Sequence, residues 1–197
     1  FGGSIPEAAA PAGIPSDDRR LMDLTGVIKE DEDVVLYHRL DRLALTVSPD
    51  WGTVTAGRQA VTWGNGFLFN PMDLFNPFAP TDIERDYKMG DDMFLAQAAA
   101  PGTGNLQLLY VPRRDPSGDV AWDASSLAAK AHLFSGSDEF DFLAAKHYRD
   151  YVFGFGIAGY VGNAVWRADA TWTHLDPDNQ DDDYRSFVAK IDYYSIW

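Results

Sequence analysis

Trp166-Arg-Ala-Asp-Ala-Thr-Trp-Thr173 alternates strictly: Trp166, Ala168, Ala170 and Trp172 hold one parity, and Arg167, Asp169, Thr171 and Thr173 hold the other. An extended strand sends successive side chains to opposite faces, so this stretch has one apolar face and one polar, charged face. A single strand of this kind suits a soluble sandwich as well as a membrane barrel. A series of them, each about 10 residues long and separated by turn residues, is the cumulative signature of a barrel whose strands cross a bilayer.

The neighbouring segments repeat the pattern. Phe140, Phe142, Ala144 and Tyr148 oppose Asp141, His147 and Arg149, with Lys146 breaking the parity. After Arg149-Asp150 the direction reverses. There Phe153, Phe155, Ile157 and Val161 form an apolar parity, and Gly154, Gly156 and Ala158 a small one that leaves room inside a barrel or permits coiling. Gly162-Asn163 supplies a tight turn. A last segment sets Phe187, Ala189, Ile191 and Tyr193 against Ser186, Lys190 and Asp192.

A chain of 197 residues is long enough for one sizeable core, and no shift in composition marks a second. No apolar run approaches the roughly 18 residues that a spanning helix needs, which excludes a helical membrane protein. The slightly negative mean hydropathy does not count against a barrel, because only alternate residues meet lipid. Six Trp and nine Tyr suit interfacial girdles. The chain has no cysteine, which rules out disulfides and thiolate metal sites. A net charge of −14 argues against nucleic acid, whose phosphates require a basic surface. The sequence starts Phe-Gly-Gly-Ser, without an initiator Met, a basic region or an apolar core, so the expectation is either that processing removed a signal peptide or that the chain is incomplete.

Along the chain, residues 1–33 are expected to form an irregular N-terminal segment, with a short helix over Arg19–Lys29 capped by Ser16 or Asp17. Residues 34–197 are expected to supply the strands. Val34–Val47 reads as one strand although Arg39, Asp41 and Arg42 keep no single parity, and Thr53–Trp63 reads as its return after the turn at Ser48–Gly52. Asn65–Met89 is a long irregular connection with Asn-Pro pairs at 70–71 and 76–77. Met93–Ala100, Asn105–Pro112, Trp122–Ser135 and the segments already described follow, for roughly nine strands. The predicted fold is therefore an all-β, antiparallel, up-and-down transmembrane β-barrel.

Links at Pro49, Pro101, Gly136 and Gly162 are short, whereas those at Asn65, Arg113 and Asp176 are long; the link near Asp150 departs from this rule. Outer-membrane barrels keep short turns on the periplasmic side. The first strand would then run inward from outside, so an odd number of strands is expected upstream and the chain reads as a fragment of a larger barrel. Trp197 shares parity with Phe187 and Tyr193, as a terminal insertion signal would, and truncation inside a barrel would look the same.

Gly57-Arg-Gln-Ala-Val-Thr-Trp-Gly-Asn-Gly66, continued by Phe69-Asn-Pro-Met-Asp-Leu-Phe-Asn-Pro-Phe78 and Tyr87-Lys-Met-Gly-Asp-Asp92, is the least generic stretch. It resembles the GRQ…WG…NP.D segment of a group of Gram-negative outer-membrane barrel proteins, over residues 34–95. The resemblance implies an outer-membrane location and brings neither a substrate nor a catalytic residue. Arg58 lies mid-strand, where a guanidinium needs a polar lumen or a carboxylate partner. Two readings follow: a pore residue, or a structural ion pair that fixes the long loop. The Asn-Pro pairs prevent regular ladder pairing. Phe67, Phe69, Phe75 and Phe78 are too apolar for a bare external loop, so Asn70, Pro71, Asp73, Asn76 and Pro77 are expected either to constrict the barrel mouth or to pack over its rim.

Other chemistry is faint. His38, His132, His147 and His174 show no paired metal spacing. Asp176, Asp178 and Asp181 could offer hard oxygens to calcium or bridge divalent ions to lipid headgroups, but they lack the glycine and closing Glu of an EF-hand and read more plainly as a solvated loop. Ser125 and Ser126 lack a nucleophile-elbow sequence. No metal and no cofactor is expected.

The leading expectation is a porin-like passage for small or elongated solutes. Arg58, Lys130, Asp141, His147, Arg149, Arg167, Asp169, Lys190 and Asp192 would line it. Phe140, Phe142, Phe153, Phe155, Trp166, Trp172, Phe187 and Tyr193 would face lipid. The implied partners are outer-membrane lipid, lipopolysaccharide, the barrel insertion machinery and an unidentified solute. The alternatives are an outer-membrane lipid hydrolase, which needs Ser126 to reach His147, and a soluble β-sandwich that binds carbohydrate through Trp and Tyr.

Overall fold

The computed structural model describes residues 16–31, 34–64, 70–75, 88–100 and 104–176, with the backbone of 185–195. Among these residues the regular structure is all β, with no helix. Strands β1 (Thr25–Glu30) and β2 (Val35–Arg39) pair as an antiparallel hairpin of their own. The main sheet has nine strands in strict sequence order. They are β3 (Leu43–Val47), β4 (Gly52–Gln59), β5 (Asp91–Ala99), β6 (Asn105–Val111), β7 (Ser126–Ser135), β8 (Asp138–His147), β9 (Asp150–Val161), β10 (Ala164–His174) and β11 (Arg185–Ser195). Every neighbouring pair is antiparallel. The two edges, β3 and β11, therefore run in the same direction, and no ladder among the described residues closes the sheet into a barrel.

Three sequence expectations change. The helix over Arg19–Lys29 is absent: Thr25–Glu30 is β1, where the β-branched Thr25, Val27 and Ile28 favour a pleated strand once β2 is available to pair. The expected irregular segment 1–33 therefore contains a strand. The single strand Val34–Val47 is two, broken at Leu40–Arg42. Its parity-breaking charges are the cause: the Asp41 carboxylate accepts the Gly90 amide at 3.0 Å, and Arg42 donates to the Lys88 carbonyl. The strand expected over Thr53–Trp63 stops at Gln59, because Val61 and Trp63 turn away from the ladder into the core.

Antiparallel partners share a face, so the ladders carry the parity of β10 across the sheet. Ala168 pairs with Ile157, Ala170 with Phe155 and Trp172 with Phe153; Phe155 in turn pairs with Phe142, and Ile157 with Phe140. Leu108 and Phe94 continue this face on β6 and β5 through Ala129 and Tyr110, and Leu45 continues it on β3 through Ala56. The aromatic members meet across strands, Phe142 and Phe155 tilted with centroids 5.4 Å apart and Phe153 and Trp172 stacked at 5.7 Å. Yet they stay open: Leu45 is 71% exposed, Leu108 52% and Phe153 48%.

The opposite face is covered. Met93, Leu95, Leu109, Val111, Ala128, Leu143, Ala145 and Val152 project there and are buried. What covers them is the connection after β4, whose Val61, Trp63, Met72 and Phe75 join the same cluster. Burying a side chain such as Met72 or Phe75 contributes about 1.5–3 kcal/mol. This return of residues 70–75 onto the sheet, here called the strap, positions everything described next.

Candidate functional site

Two zones lie along the covered face, and a third, a charge cluster, gathers at one end of the strands. The middle zone is apolar and closed by the strap. Met72 is fully buried in a notch made by Gly154 and Gly156 of β9; a Cβ on Gly154 would stand 2.9 Å from Met72 Cγ, and one on Gly156 2.8 Å from Met72 Cε. The small parity of β9 thus supplies the room that its glycines imply, and the strap occupies it. Phe75 packs edge-on to both Trp63 and His147, at 5.3 and 5.5 Å between centroids. The strap is also tied electrostatically. Lys88 pairs with the Asp73 carboxylate and donates to the Val61 carbonyl at 3.3 Å, while the Trp63 amide donates to Asp73 Oδ1 at 3.4 Å. Burial pushes the Asp73 carboxyl above its ordinary value, although the Lys88 ammonium and the Trp63 amide pull it down.

Of the expected constriction residues, Pro71 and Asp73 are buried and Asn70 is half-buried, all on this inward-folded strap; Asn76 and Pro77 lie outside the described residues.

The second zone lies toward the short turns and is polar. Asp141 is fully buried and takes the Lys130 ammonium at 2.9 Å and His132 Nδ1 at 2.9 Å. Gly156 separates it from Asp169 in the ladder, and Asp169 Oδ1 would be 2.5 Å from a Cβ there. Trp63 Nε1 donates to Gln107 Oε1, coupling this zone to the strap. Lys130, Asp141, Arg167 and Asp169 therefore share one face, as their sequence parity predicts. Lys190 and Asp192 stand opposite Asp169 and Arg167 in the ladder; their side chains lie outside the described set. Phe187 and Tyr193 likewise stand opposite Trp172 and Trp166. Arg149 sits in the β8–β9 turn and pairs with Asp176 at 2.7 Å. Asp178 and Asp181 lie outside the described residues, and no group of three or more metal-ligating side chains forms among the rest.

The third zone is a buried charge cluster at the ends of the strands away from the short turns. Arg58 has no exposed surface; Nε donates to Asp92 at 2.8 Å, Nη1 to Asp17 at 2.9 Å and Nη2 to the Met22 carbonyl. Its ladder partners, Leu43 and Asp92, give it the parity of the apolar band, so it does not share the face of Lys130 and Asp141. Residues 16–24 cross it as a clamp. Asp17 also takes Arg20 at 2.8 Å, and Asp92 accepts the Met22 amide at 2.6 Å. Arg114 donates to the carbonyls of Arg20 and Leu21. Beside it, Arg113 pairs with Asp91 and donates to Ser126 Oγ at 3.3 Å. Sequence reasoning missed Asp17, Asp91, Arg113 and Lys88. Asp91 and Lys88 had a signal, since both lie in Lys88-Met-Gly-Asp-Asp92 of the distinctive motif; Asp17 and Arg113 had none.

Burial disfavours the Asp17 carboxylate, but hydrogen bonds from Arg58, the Leu24 amide and the Thr25 hydroxyl outweigh it and hold the group below its ordinary 3.8. A carboxyl depressed by folding stabilises fully above the unfolded value and loses that contribution as pH falls through the lower folded one. Acidification is therefore expected to loosen the 16–24 clamp before the sheet ladders open. Hydrogen exchange at the Met22 and Leu24 amides, followed against pH, checks this; simultaneous loss of the β7–β9 amides would contradict it.

Register does bring Ser126 to His147, with Oγ 3.1 Å from Nδ1. The hydroxyl is only 1% exposed and also accepts the Arg113 guanidinium and, at 3.3 Å, the Tyr148 amide. With two donors on its oxygen, it is left to donate to Nδ1. Among the described residues, no carboxylate orients the other ring nitrogen of His147. This is the arrangement of a structural pin. Ser126→Ala, which strands two buried donors, is expected to cost about 1–3 kcal/mol in denaturant unfolding.

No family model, curated protein or solved structure matches this chain. The two faces of the sheet and the strap between its strands carry the functional reading.

Proposed function

We propose that the chain builds the wall of an outer-membrane β-barrel that acts as a porin-like passage for small or elongated solutes. The observation that carries this reading is the inversion of the sheet. Large apolar side chains from Leu45 to Trp172 stand open on one face, while Lys130, Asp141 and Asp169 are enclosed on the other. In water a continuous apolar face of this extent promotes aggregation. In a bilayer the same face is solvated by acyl chains, and interior charges tune what passes. Strand lengths agree: β7 to β11 have 10 to 12 residues, the span that tilted strands need to cross the hydrocarbon.

The hydrolase reading draws on the contact between Ser126 and His147. It is the weaker one, because the pair is enclosed on the covered face rather than presented to lipid, and its hydroxyl is already engaged. A soluble sandwich would need a second sheet over the apolar band, and none packs there among the described residues.

Reconstituted in planar bilayers, the protein is expected to give stepwise conductance. A preparation that inserts and resists unfolding in detergent, yet stays silent across a range of voltages, would overturn the passage.

A further inference from the structure

We infer that Lys146, backed by Trp122, fixes the level at which lipid headgroups meet the apolar band: on β7 and β8 the acyl chains of a bilayer end at this lysine. The inference deepens the outer-membrane reading and rests on it.

Three observations lead to it. First, Lys146 is the residue that breaks the sequence parity of β8, and the ladders put it on the apolar band, opposite Leu127 on β7 and Tyr151 on β9. Along β8 from that point the band holds Ala144 with Phe153, then Phe142 with Phe155, then Phe140 with Ile157, and the next ionisable residue of the same parity is Asp138. From Asp138 to Lys146 the strand advances roughly 27 Å, about 21 Å of depth at the tilt of about 40° that barrel strands adopt, against an apolar height of about 25 Å in membrane barrels. Second, the ammonium is drawn off the band. Nζ donates to the carbonyls of Trp122 at 2.7 Å and Ser125 at 3.5 Å and to that of Tyr148, and it lies 4.5 Å from the centre of the Trp122 ring. These acceptors belong to the connection before β7 and to the turn after β8, so the stem covers the band while the charge leaves it. Third, the exposed rings change character at this level. Phe142, Phe153 and Phe155 stand within the band, whereas Tyr151 and Trp122, beside Lys146, are 51% and 55% exposed, and His174 stands opposite Tyr151 on β10. Rings with a polar tip gather where headgroups meet acyl chains.

The occupant of the band follows from the same geometry. In water an ammonium hydrates wherever it points, and holding a lysine stem in one conformation costs rotamer entropy. Against acyl chains the cost of a charge is largest at mid-membrane and falls to nearly nothing at the headgroups. Both the retreat of Nζ and its place at the end of the band are thus accounted for by bilayer lipid.

The test uses the absence of native cysteine. Leu127→Cys stands at the level of Lys146, and Ala129→Cys and Ala131→Cys lie one and two steps further into the band, opposite Ala144 and Phe142. Each thiol receives a nitroxide, and the full chain is folded into phosphatidylcholine liposomes. Spin-label collisions are then measured with dissolved oxygen, which concentrates among acyl chains, and with a nickel chelate confined to water. Nickel is expected to dominate at Leu127, and oxygen at Ala129 and Ala131. Lys146→Met is expected to lower nickel collisions at the Leu127 site several-fold, because acyl chains then reach one step higher, while Lys146→Arg keeps the parental value. Oxygen dominating at all three sites of the parent, or Lys146→Met leaving the Leu127 site unchanged, overturns the inference and leaves the lipid reading in place. Nickel dominating at all three sites, in protein whose β-sheet circular dichroism is intact, overturns both.

Discussion

Arg58→Ala is expected to destabilise the protein by about 3–5 kcal/mol, the cost of leaving buried carboxylates without their partner. Two charges are stranded at once, because Asp17 and Asp92 are both buried and both bound to the same guanidinium. The damage has a predicted location. Met22 donates its amide to Asp92 and receives Arg58 on its carbonyl, so residues 16–24 lose their grip on the rim. Limited proteolysis should cut there first, while β7 to β10 remain protected. Arg58→Lys should fall between parent and alanine, since an ammonium cannot serve Asp92, Asp17 and Met22 with the fixed fork that a guanidinium provides. Asp17→Asn should cost less than Arg58→Ala, because Asp92 still neutralises the cation. Equal stability of Arg58→Ala and the parent in urea would refute the clamp.

That cluster also marks where sequence stops being informative. Parity identified the faces of β7 to β10 because each alternation is local, and a wrong register would move Phe142, Phe153 and Trp172 off the apolar face together. Arg58 has no such context. Its partner Asp17 lies in a segment whose composition suggested a helix, and nothing local in either stretch announces the pairing. The same holds for Lys88 and Asp73, which meet because residues 70–75 lie against the sheet. Asn70-Pro71 implied that this connection leaves the ladder, and Phe75 that it packs on something, as both do. Which wall receives it was legible only in retrospect, from the Gly154 and Gly156 notch. The broken parity of Arg39, Asp41 and Arg42 was the one local sign that Val34–Val47 is not a single strand.

Leu108→Arg gives the prediction with the sharpest sign. In the middle of β6 Leu108 pairs with Ala96 and Ala129 on the apolar band and is half exposed, with no charge opposite it in either ladder. If the band faces water, an arginine there removes an exposed apolar group and is neutral or favourable, within about 0.5 kcal/mol. If it faces acyl chains near mid-membrane, the same change costs about 2–4 kcal/mol. The two environments thus differ in sign and by several times the error of an unfolding curve. Folding into bilayers from urea is expected to show the larger penalty, and Leu106→Arg, two residues nearer the start of β6, a smaller one because the cost decays toward the interface. A variant that folds into lipid as readily as the parent at both positions would remove lipid from this face altogether. Exposure alone separates nothing here, since among the described residues the band is equally bare in either case; the penalty for a charge, graded along a strand, measures the solvent that fills it.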